Sequence, residues 1–265
     1  MAIPLGAQDS TLTPPVVISD PAGHSSAFFS SSNVATLGAF ALGTVLVAPF
    51  DRRWTSQLQS DNLQSNRRLG RCADFVRTLG DPGSVIISGS LFAIGRLSHR
   101  PGLTDAGLHA TEAVLASGLL STVLKGIVGR ARPHTVDNSD AGTFRLGQGF
   151  RGGYTSMPSG HTTVAFAAAA SLGSELGRSH QTVARFVTPL LYTMATAVGV
   201  SRLYDDKHWA TDIVVGAAVG TLVGRRVVEY THATPRSRWN RWRLPLSVGV
   251  GSTGESTVQL HFEFR

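Results

Sequence analysis

The chain has 265 residues, of which 24 are Lys or Arg and 17 are Asp or Glu, so its formal net charge is +7. This excess of positive charge favours an anionic partner, such as a nucleic acid, an anionic membrane surface or a phosphorylated substrate. A single cysteine, Cys72, excludes an intrachain disulfide and a cysteine metal site. Only 15% of the residues are charged, few for a soluble protein, whereas the mean hydropathy of +0.06 is low for a protein with many membrane spans.

The first 30 residues differ from the rest of the chain. They are rich in Ser, Pro and Thr and show no helical period, so they predict a flexible leader. They lack both the positively charged start and the apolar run of a signal peptide. We therefore expect the folded part to begin near residue 31.

Apolar segments of helical length follow one another between residues 31 and 232, separated by Gly, Pro and charged residues. They predict an all-α fold, a compact bundle of about six core helices. The predicted helices cover residues 33–50, 54–78, 82–97, 108–129, 161–177, 185–200 and 209–228. The polar stretch 51–53, which contains Asp51, is interpreted as a solvated helix boundary.

The sequence does not decide whether this bundle is surrounded by water or by lipid. A membrane span needs roughly 20 mostly apolar residues, and the uncharged windows are shorter and rich in Ala, Gly and Ser. This slightly favours buried helices in a water-soluble domain over short membrane spans. Gly216, Gly220 and Gly224 recur at four-residue spacing, which predicts close helix packing in either solvent.

The last segment, residues 233–265, changes character again. Four arginines and two tryptophans lie within residues 235–243, a composition that suits anionic lipid head groups as well as a plain solvated linker. Alternating apolar residues on either side of the turn-like sequence STGES then predict a short C-terminal β-hairpin.

Three polar clusters interrupt the apolar background, and each lies at the end of a predicted helix. They are Lys125 with Arg132 in KGIVGRARP, the sequence MPSGH with Ser159 and His161, and SRLYDDKHWATD with Arg202, His208 and Asp212. Taken singly, they are typical of a helix-end cation, a surface arginine, an N-cap serine and an i,i+4 pair. Taken together, helix packing would bring cations, histidines and a helix N-terminus to one face, a composition suited to phosphate.

The order and spacing of these clusters resemble the signature of the type 2 phosphatidic acid phosphatase superfamily, K-x6-RP, PSGH and SR-x5-H-x3-D. The superfamily includes lipid phosphate phosphatases, bacterial acid phosphatases and vanadium haloperoxidases. The resemblance covers residues 125–212 and implies a helical catalytic domain over residues 31–232, with the leader before it and the basic linker and hairpin after it. One departure is Asp206, since family members often carry Gly two residues before the nucleophilic His.

The resemblance also implies a role for each matching residue. Phosphate would be bound by Lys125, Arg132 and Arg202, with donors from Ser159 and the backbone of Gly160. His208 would attack phosphorus, Asp212 would accept the other ring N–H, and His161 would act as acid and then as base. Three fixed cations can stabilise the transferring group without a metal, so no cofactor is expected.

The function that follows is hydrolysis of phosphate monoesters or pyrophosphates, including lipid phosphates, through a phosphohistidine. The alternative is a haloperoxidase in which the same cations hold vanadate, ranked second because such enzymes tend to be longer. A non-catalytic anion-binding protein is a third hypothesis, disfavoured because all motif residues are present. We expect a phosphorylated small-molecule or lipid substrate, contact with an anionic membrane surface, no nucleic acid, and a location in the cell envelope, periplasmic or membrane-associated.

Overall fold

The computed structural model describes residues 31–136, 140–151, 153–233, 246–250 and 256–260. Its helices are α1 (Ser31–Val47), α2 (Asp51–Leu58), α3 (Asp61–Gln64), α4 (Arg67–Gly80), α5 (Gly83–Leu97), α6 (Pro101–Val128), α7 (Gly160–Ser179), α8 (Gln181–Tyr204) and α9 (Ala210–Ala233). Short 3₁₀ segments cover Ala48–Phe50, Pro133–Thr135 and Gln148–Arg151. Two strands, β1 (Leu246–Val250) and β2 (Ser256–Leu260), pair antiparallel.

The predicted all-α bundle is confirmed. The leader, most of the linker and the turn between β1 and β2 lie outside the described residues. The division into leader, helical domain and tail, and the packing of the hairpin, therefore stay predictions.

The helix boundaries differ from the predicted ones mainly in α6. This helix begins at Pro101 rather than near residue 108, because proline at the first helical position loses no hydrogen bond and has the required φ. It ends at Gly129, which has a φ of 59° and whose N–H donates to the carbonyl of Lys125. The predicted helix over 54–78 is three helices, and Asn66 begins the last of them by accepting hydrogen bonds from two backbone amides.

Helix α7 lies at the centre of the bundle and packs against α6, α8 and α9. A Cβ atom added to Gly220 would lie 2.2 Å from the carbonyl oxygen of Thr163, and one added to Gly224 would lie 2.5 Å from that of Ala167. The glycine face of α9 therefore lies directly on the backbone of α7, as its four-residue spacing predicts. This contact fixes the start of α9 next to the start of α7.

The outer surface of the bundle is apolar. Along one side of α6, Leu115 and Leu119 are 59% and 69% exposed, and Leu97 at the end of α5 is 81% exposed. Among the residues that the structure describes, three helical stretches are long and apolar enough to cross a membrane: Asn33–Leu58, Pro101–Val128 and Gln181–Tyr204. The protein is membrane-associated, as expected for its location, and the slight preference for a water-soluble domain was wrong. That preference counted only windows free of charge, whereas α6 is 28 residues long and exposes leucines such as Leu115 and Leu119.

Candidate active site

The first cluster lies where α6 ends. Lys125 is in the last turn of α6, and its Nζ donates to the carbonyl of Thr155 at 2.8 Å. The Cε of Lys125 also lies 3.6 Å from the position of a Cβ on Gly160, the first residue of α7. The ammonium group of the first cluster is therefore next to the helix N-terminus of the second.

The long connection between α6 and α7 is held against the residues that follow Lys125. Ala131 N donates to Thr143 O, and Ser156 N donates to Arg130 O, both at 3.0 Å. The last residues of this connection, Thr155 and Ser156, supply atoms to the site itself.

The second cluster is joined to the third by the backbone. Ser159 N donates to the carbonyl of Asp212 at 3.0 Å, and the Ser159 side chain is fully buried. Ser159 occupies the N-cap position of α7, but its hydroxyl makes no capping hydrogen bond and instead accepts one from Thr162 Oγ1 at 2.9 Å. The amide of Gly160 and the hydroxyl of Ser159 thus meet at one helix start, as the predicted phosphate site requires.

His208 lies in the turn before α9 and is buried. Its Nδ1 is 2.7 Å from the backbone carbonyl oxygen of Ser156. Because a carbonyl only accepts hydrogen bonds, Nδ1 must carry the proton. The neutral ring then has its lone pair on Nε2, which is the tautomer that a nucleophile needs.

Asp212 was expected to accept the ring N–H of His208, and the structure differs. Its Oδ2 is 3.7 Å from His208 Nδ1, too far for a hydrogen bond. That oxygen accepts instead from the hydroxyl of Ser156 and from Trp209 N, the latter at 2.9 Å. The carboxylate therefore acts on the imidazole through its charge, whereas the carbonyl of Ser156 orients the ring.

A buried ion network lies behind Asp212. Arg130 donates from Nη1 to Asp212 Oδ1 at 2.6 Å and from Nη2 to Asp51 Oδ2 at 2.7 Å. Asp51 is 2% exposed and also accepts from the amide and hydroxyl of Thr211. The interpretation of Asp51 as a solvated boundary was wrong, because its carboxylate shares one guanidinium with the site.

Burial and charge together keep His208 neutral. The pKa of His208 is lowered to about 4, chiefly by burial and also by the cations Lys125 and Arg132, while the carboxylate of Asp212 opposes the shift. For Asp212, burial alone would raise the pKa, but its contact with His208 and the charge of Arg130 outweigh burial and lower it. Near pH 7 the pair is therefore a neutral imidazole beside a carboxylate.

His161, in the first turn of α7, is half-buried beside the turn between α4 and α5. Its Cβ would lie 3.2 Å from a Cβ on Gly80. The pKa of His161 is lowered to about 4, chiefly by burial and also by the charge of Arg202, while the carboxylate of Asp81 opposes the shift. His161 and His208 thus both lie within the field of Lys125.

Arg202 is held at the end of α8 by an acidic partner. Its Nη1 donates to Oδ2 of Asp205, which also lies 3.4 Å from Nη1 of Arg77. The Nε atoms of Arg202 and of Arg132 are buried and donate no hydrogen bond within the described residues. Asp205, which the sequence left unassigned, therefore positions an arginine and leaves one of its donors for another acceptor.

Asp206 has a φ of 58°, in the left-handed region that glycine adopts most readily. Its carbonyl accepts a hydrogen bond from His134 Nδ1 at 2.8 Å. The backbone thus explains why a glycine would suit this position, and why an aspartate is among the tolerated replacements.

All eight sequence-predicted site residues lie at one end of the bundle, connected by hydrogen bonds or by charge. Arg132 interacts electrostatically with His208 and Asp212, and His161 does so with Arg202 and Lys125. Residues outside these eight also take part, among them Asp51, Arg77, Arg130 and Ser156. Of these four, only Arg130 had a sequence signal, since it lies inside the motif segment GRARP. The others reach the site from segments whose own patterns are typical of helix boundaries, exposed helix and loop.

Comparison with known proteins agrees with this arrangement. The family model of the PAP2 superfamily matches residues 106–236. The chain is 35% identical over 160 residues to a lipid A 4'-phosphatase of Porphyromonas gingivalis, covering 58% of this chain and 64% of that protein. It is 44% identical over 69 residues to a lipid A 1-phosphatase of the same organism, covering 26% of this chain and 15% of that protein. The chain thus spans less than two thirds of either relative.

A solved structure shares the fold. It is a transmembrane PAP2 type phosphatidylglycerolphosphate phosphatase from Bacillus subtilis, with a TM-score of 0.57 and 20% sequence identity. The match covers 78% of this chain and 99% of that one. The three motifs, their convergence at one end of the bundle, the family match over residues 106–236 and the shared fold all point to the PAP2 superfamily.

Proposed function

We propose that the protein is a membrane-associated phosphatase that hydrolyses the phosphate monoester of a lipid, with His208 as the nucleophile. The observation that carries this proposal is the hydrogen bond from His208 Nδ1 to the carbonyl of Ser156. It leaves the lone pair on Nε2 in a ring that is neutral near pH 7. A buried neutral histidine among cations is suited to attack an anion.

Binding of the phosphate group uses the cations of the three clusters. Lys125, Arg132 and Arg202 carry the positive charge, and the start of α7 adds backbone N–H donors. The buried Nε atoms of both arginines are available to phosphate oxygens. Such a site stabilises the charge on the equatorial oxygens of the transition state and needs no metal for this purpose.

The first chemical step transfers the phosphoryl group to the enzyme. The lone pair of His208 Nε2 forms a bond to phosphorus while the ester P–O bond breaks and its electron pair leaves with the alcohol oxygen. His161 donates a proton to that oxygen. The negative phosphate bound beside His161 favours the protonated imidazole, which offsets the lowering of its pKa in the free protein.

The second step releases phosphate. Neutral His161 takes a proton from water, whose oxygen attacks phosphorus as the P–N bond breaks and its electrons return to His208. Asp212 stabilises the imidazolium between the two steps through its charge, and Arg130 holds Asp212 in place. General acid–base help of this kind contributes about 10²–10⁴-fold in rate.

A lipid substrate is supported by the relatives and by the surface of the bundle. The two curated relatives are named for phosphates of lipid A, and the structural relative for phosphatidylglycerolphosphate. An apolar groove of about 680 Å³ lies between α4 and α8, with Leu69, Val76 and Tyr192 among its lining residues. Together with the exposed apolar helices, it offers a surface suited to acyl chains.

The named activities of the relatives also favour hydrolysis over the haloperoxidase alternative. We place the protein in the cell envelope, in contact with the membrane through its long apolar helices. We expect no nucleic acid partner. Vanadate is expected to act as an inhibitor that mimics the five-coordinate phosphorus.

The test is phosphate release by the purified protein in detergent, from a short-chain phosphatidate and from lipid A, in buffer containing a chelator. We expect hydrolysis that vanadate inhibits and that His208→Ala abolishes, while His180→Ala, at an exposed helix end, retains it. Hydrolysis that persists in His208→Ala would refute the assigned nucleophile. Halide oxidation with vanadate and peroxide, in the absence of hydrolysis, would establish the alternative.

A further inference from the structure

A second cluster of ionisable side chains lies at the opposite end of the bundle. His109 in α6, Glu175 in α7 and His232 in α9 converge there, and the first two are buried. Glu175 is 14 residues beyond His161 in α7, which corresponds to about 21 Å along the helix. None of the three residues belongs to the active site.

The three side chains meet at a single carboxylate oxygen. Oε1 of Glu175 contacts Nδ1 of His109 and lies 2.9 Å from Nε2 of His232. One ligand-type atom from each residue lies within 4.8 Å of the other two. The two imidazole rings stand edge to face with centroids 5.5 Å apart, so both nitrogens approach the oxygen from different sides.

We propose that His109, Glu175 and His232 form a site for a divalent transition metal ion, zinc being the ion that their chemistry suits best. Two imidazole nitrogens and one carboxylate oxygen are a ligand set that zinc takes in proteins, with a fourth position open to water. Small side-chain movements would bring the three atoms to zinc bond lengths of about 2.0–2.2 Å. The charge of Glu112, one turn from His109 and in electrostatic contact with it, further favours a dication.

Access and location support a structural role for the ion. The His232 side chain is 27% exposed, which gives an ion a route from solvent to an otherwise buried site. Bound zinc would join α6, α7 and α9, the helices that carry Lys125, His161 and Asp212 at their other ends. The ion would therefore stabilise the bundle and take no part in hydrolysis.

The experiment uses the full chain in detergent without a polyhistidine tag, since a tag would itself bind zinc. The protein is stripped with a chelator, equilibrated with zinc chloride, desalted and analysed for zinc per chain. We expect one zinc per chain in the wild type and in the His180→Ala control, and less than a tenth of that in His232→Ala and Glu175→Gln. Cobalt in place of zinc should give the visible absorption bands of a four-coordinate site, lost in the same variants.

Two further readouts separate metal binding from simple hydrogen bonding. Zinc should raise the thermal unfolding midpoint of the wild type and leave that of His232→Ala unchanged, because only a bound ion stabilises the folded state. Hydrolysis should be retained in His232→Ala. A wild type that retains no zinc, or zinc retained equally in both variants, would overturn the proposal, whatever the hydrolysis assay shows.

Discussion

Arg130 and Asp212 form a fully buried ion pair, with Nη1 of the arginine 2.6 Å from Oδ1 of the aspartate. The same guanidinium binds Asp51 and lies over the rings of Phe144 and Trp209 at 5.0 and 5.4 Å from their centroids. Two carboxylates thus share one cation behind the proposed nucleophile. The pair fixes Asp212 by contacts that do not involve the substrate.

The first prediction distinguishes the structural role of Asp51 from the catalytic role of Asp212. Asp51→Asn should lower the free energy of unfolding by about 1–3 kcal/mol, because it weakens a buried charged hydrogen bond. Its effect on kcat should be much smaller than that of Asp212→Asn, for which we expect a loss of about 10³-fold. Unfolding and kinetics in detergent measure both, with Asp61→Asn on an exposed helix as control. Equal losses of kcat in the two variants would contradict the roles assigned here.

A second prediction concerns Ser156, whose carbonyl and hydroxyl have different roles. Ser156→Ala removes the hydroxyl that donates to Asp212 but keeps the carbonyl that orients His208. We expect kcat to fall about 10-fold with little change in KM, since an outer contact of the carboxylate is lost while substrate contacts remain. Ser98→Ala, which removes an exposed hydroxyl, is the matched control. A rise in KM at constant kcat would indicate that Ser156 binds substrate instead.

The two adjacent aspartates should behave oppositely. Asp206→Gly should keep activity and raise stability by about 0.5–1 kcal/mol, because glycine adopts the observed positive φ more easily. Asp205→Asn should raise KM severalfold, because Arg202 loses the charged partner that positions it. Steady-state kinetics and thermal unfolding of both variants test this. Loss of stability in Asp206→Gly would show that its side chain matters more than its backbone.

Stability should depend on pH through the two site histidines. Each binds a proton below about pH 6.5 in the unfolded chain but only below about pH 4 in the folded protein. Between these values the unfolded state binds more protons, so the free energy of unfolding falls as the pH falls, by about 1–3 kcal/mol for a buried histidine. Thermal unfolding at a series of pH values measures this slope. His208→Gln should reduce it, and an unchanged slope would contradict the low pKa.

The close contact between α7 and α9 can be tested by its effect on stability. Gly220→Ala should lower the free energy of unfolding by more than about 2 kcal/mol, because its Cβ would meet the backbone oxygen of Thr163 at 2.2 Å. Gly89→Ala in α5 meets nothing within 4 Å and should be neutral or stabilising by up to about 1 kcal/mol. Denaturation of the two variants side by side is the measurement. Similar stabilities would mean that the α7–α9 contact is not as close as described.

Much of the fold could be predicted because its signals are local. Apolar segments of helical length, glycine and proline breaks, and the four-residue glycine spacing of α9 all depend on neighbouring residues. The start of α6 was missed because Pro101 was taken as a break, whereas it is the first residue of the helix. The motif residues were found because a signature fixes their spacing.

Contacts between segments that are far apart in the chain could not be predicted from the sequence. Arg130 and Asp51 are 79 residues apart, and Ser156 and His208 are 52 apart. The cluster of His109, Glu175 and His232 joins residues 66 and 57 positions apart, so no metal-ligand spacing was visible. These pairs exist only because helix packing brings separate ends together.

The central claim is that Nε2 of His208 becomes phosphorylated. A direct measurement uses His161→Asn with p-nitrophenyl phosphate, whose leaving group needs no acid, and follows nitrophenol release and protein-bound phosphate in the pre-steady state. The account predicts a burst of one nitrophenol per enzyme and an alkali-stable, acid-labile phosphate on His208. Phosphate on another residue, or a burst that persists when His208 is also replaced by Ala, would contradict it.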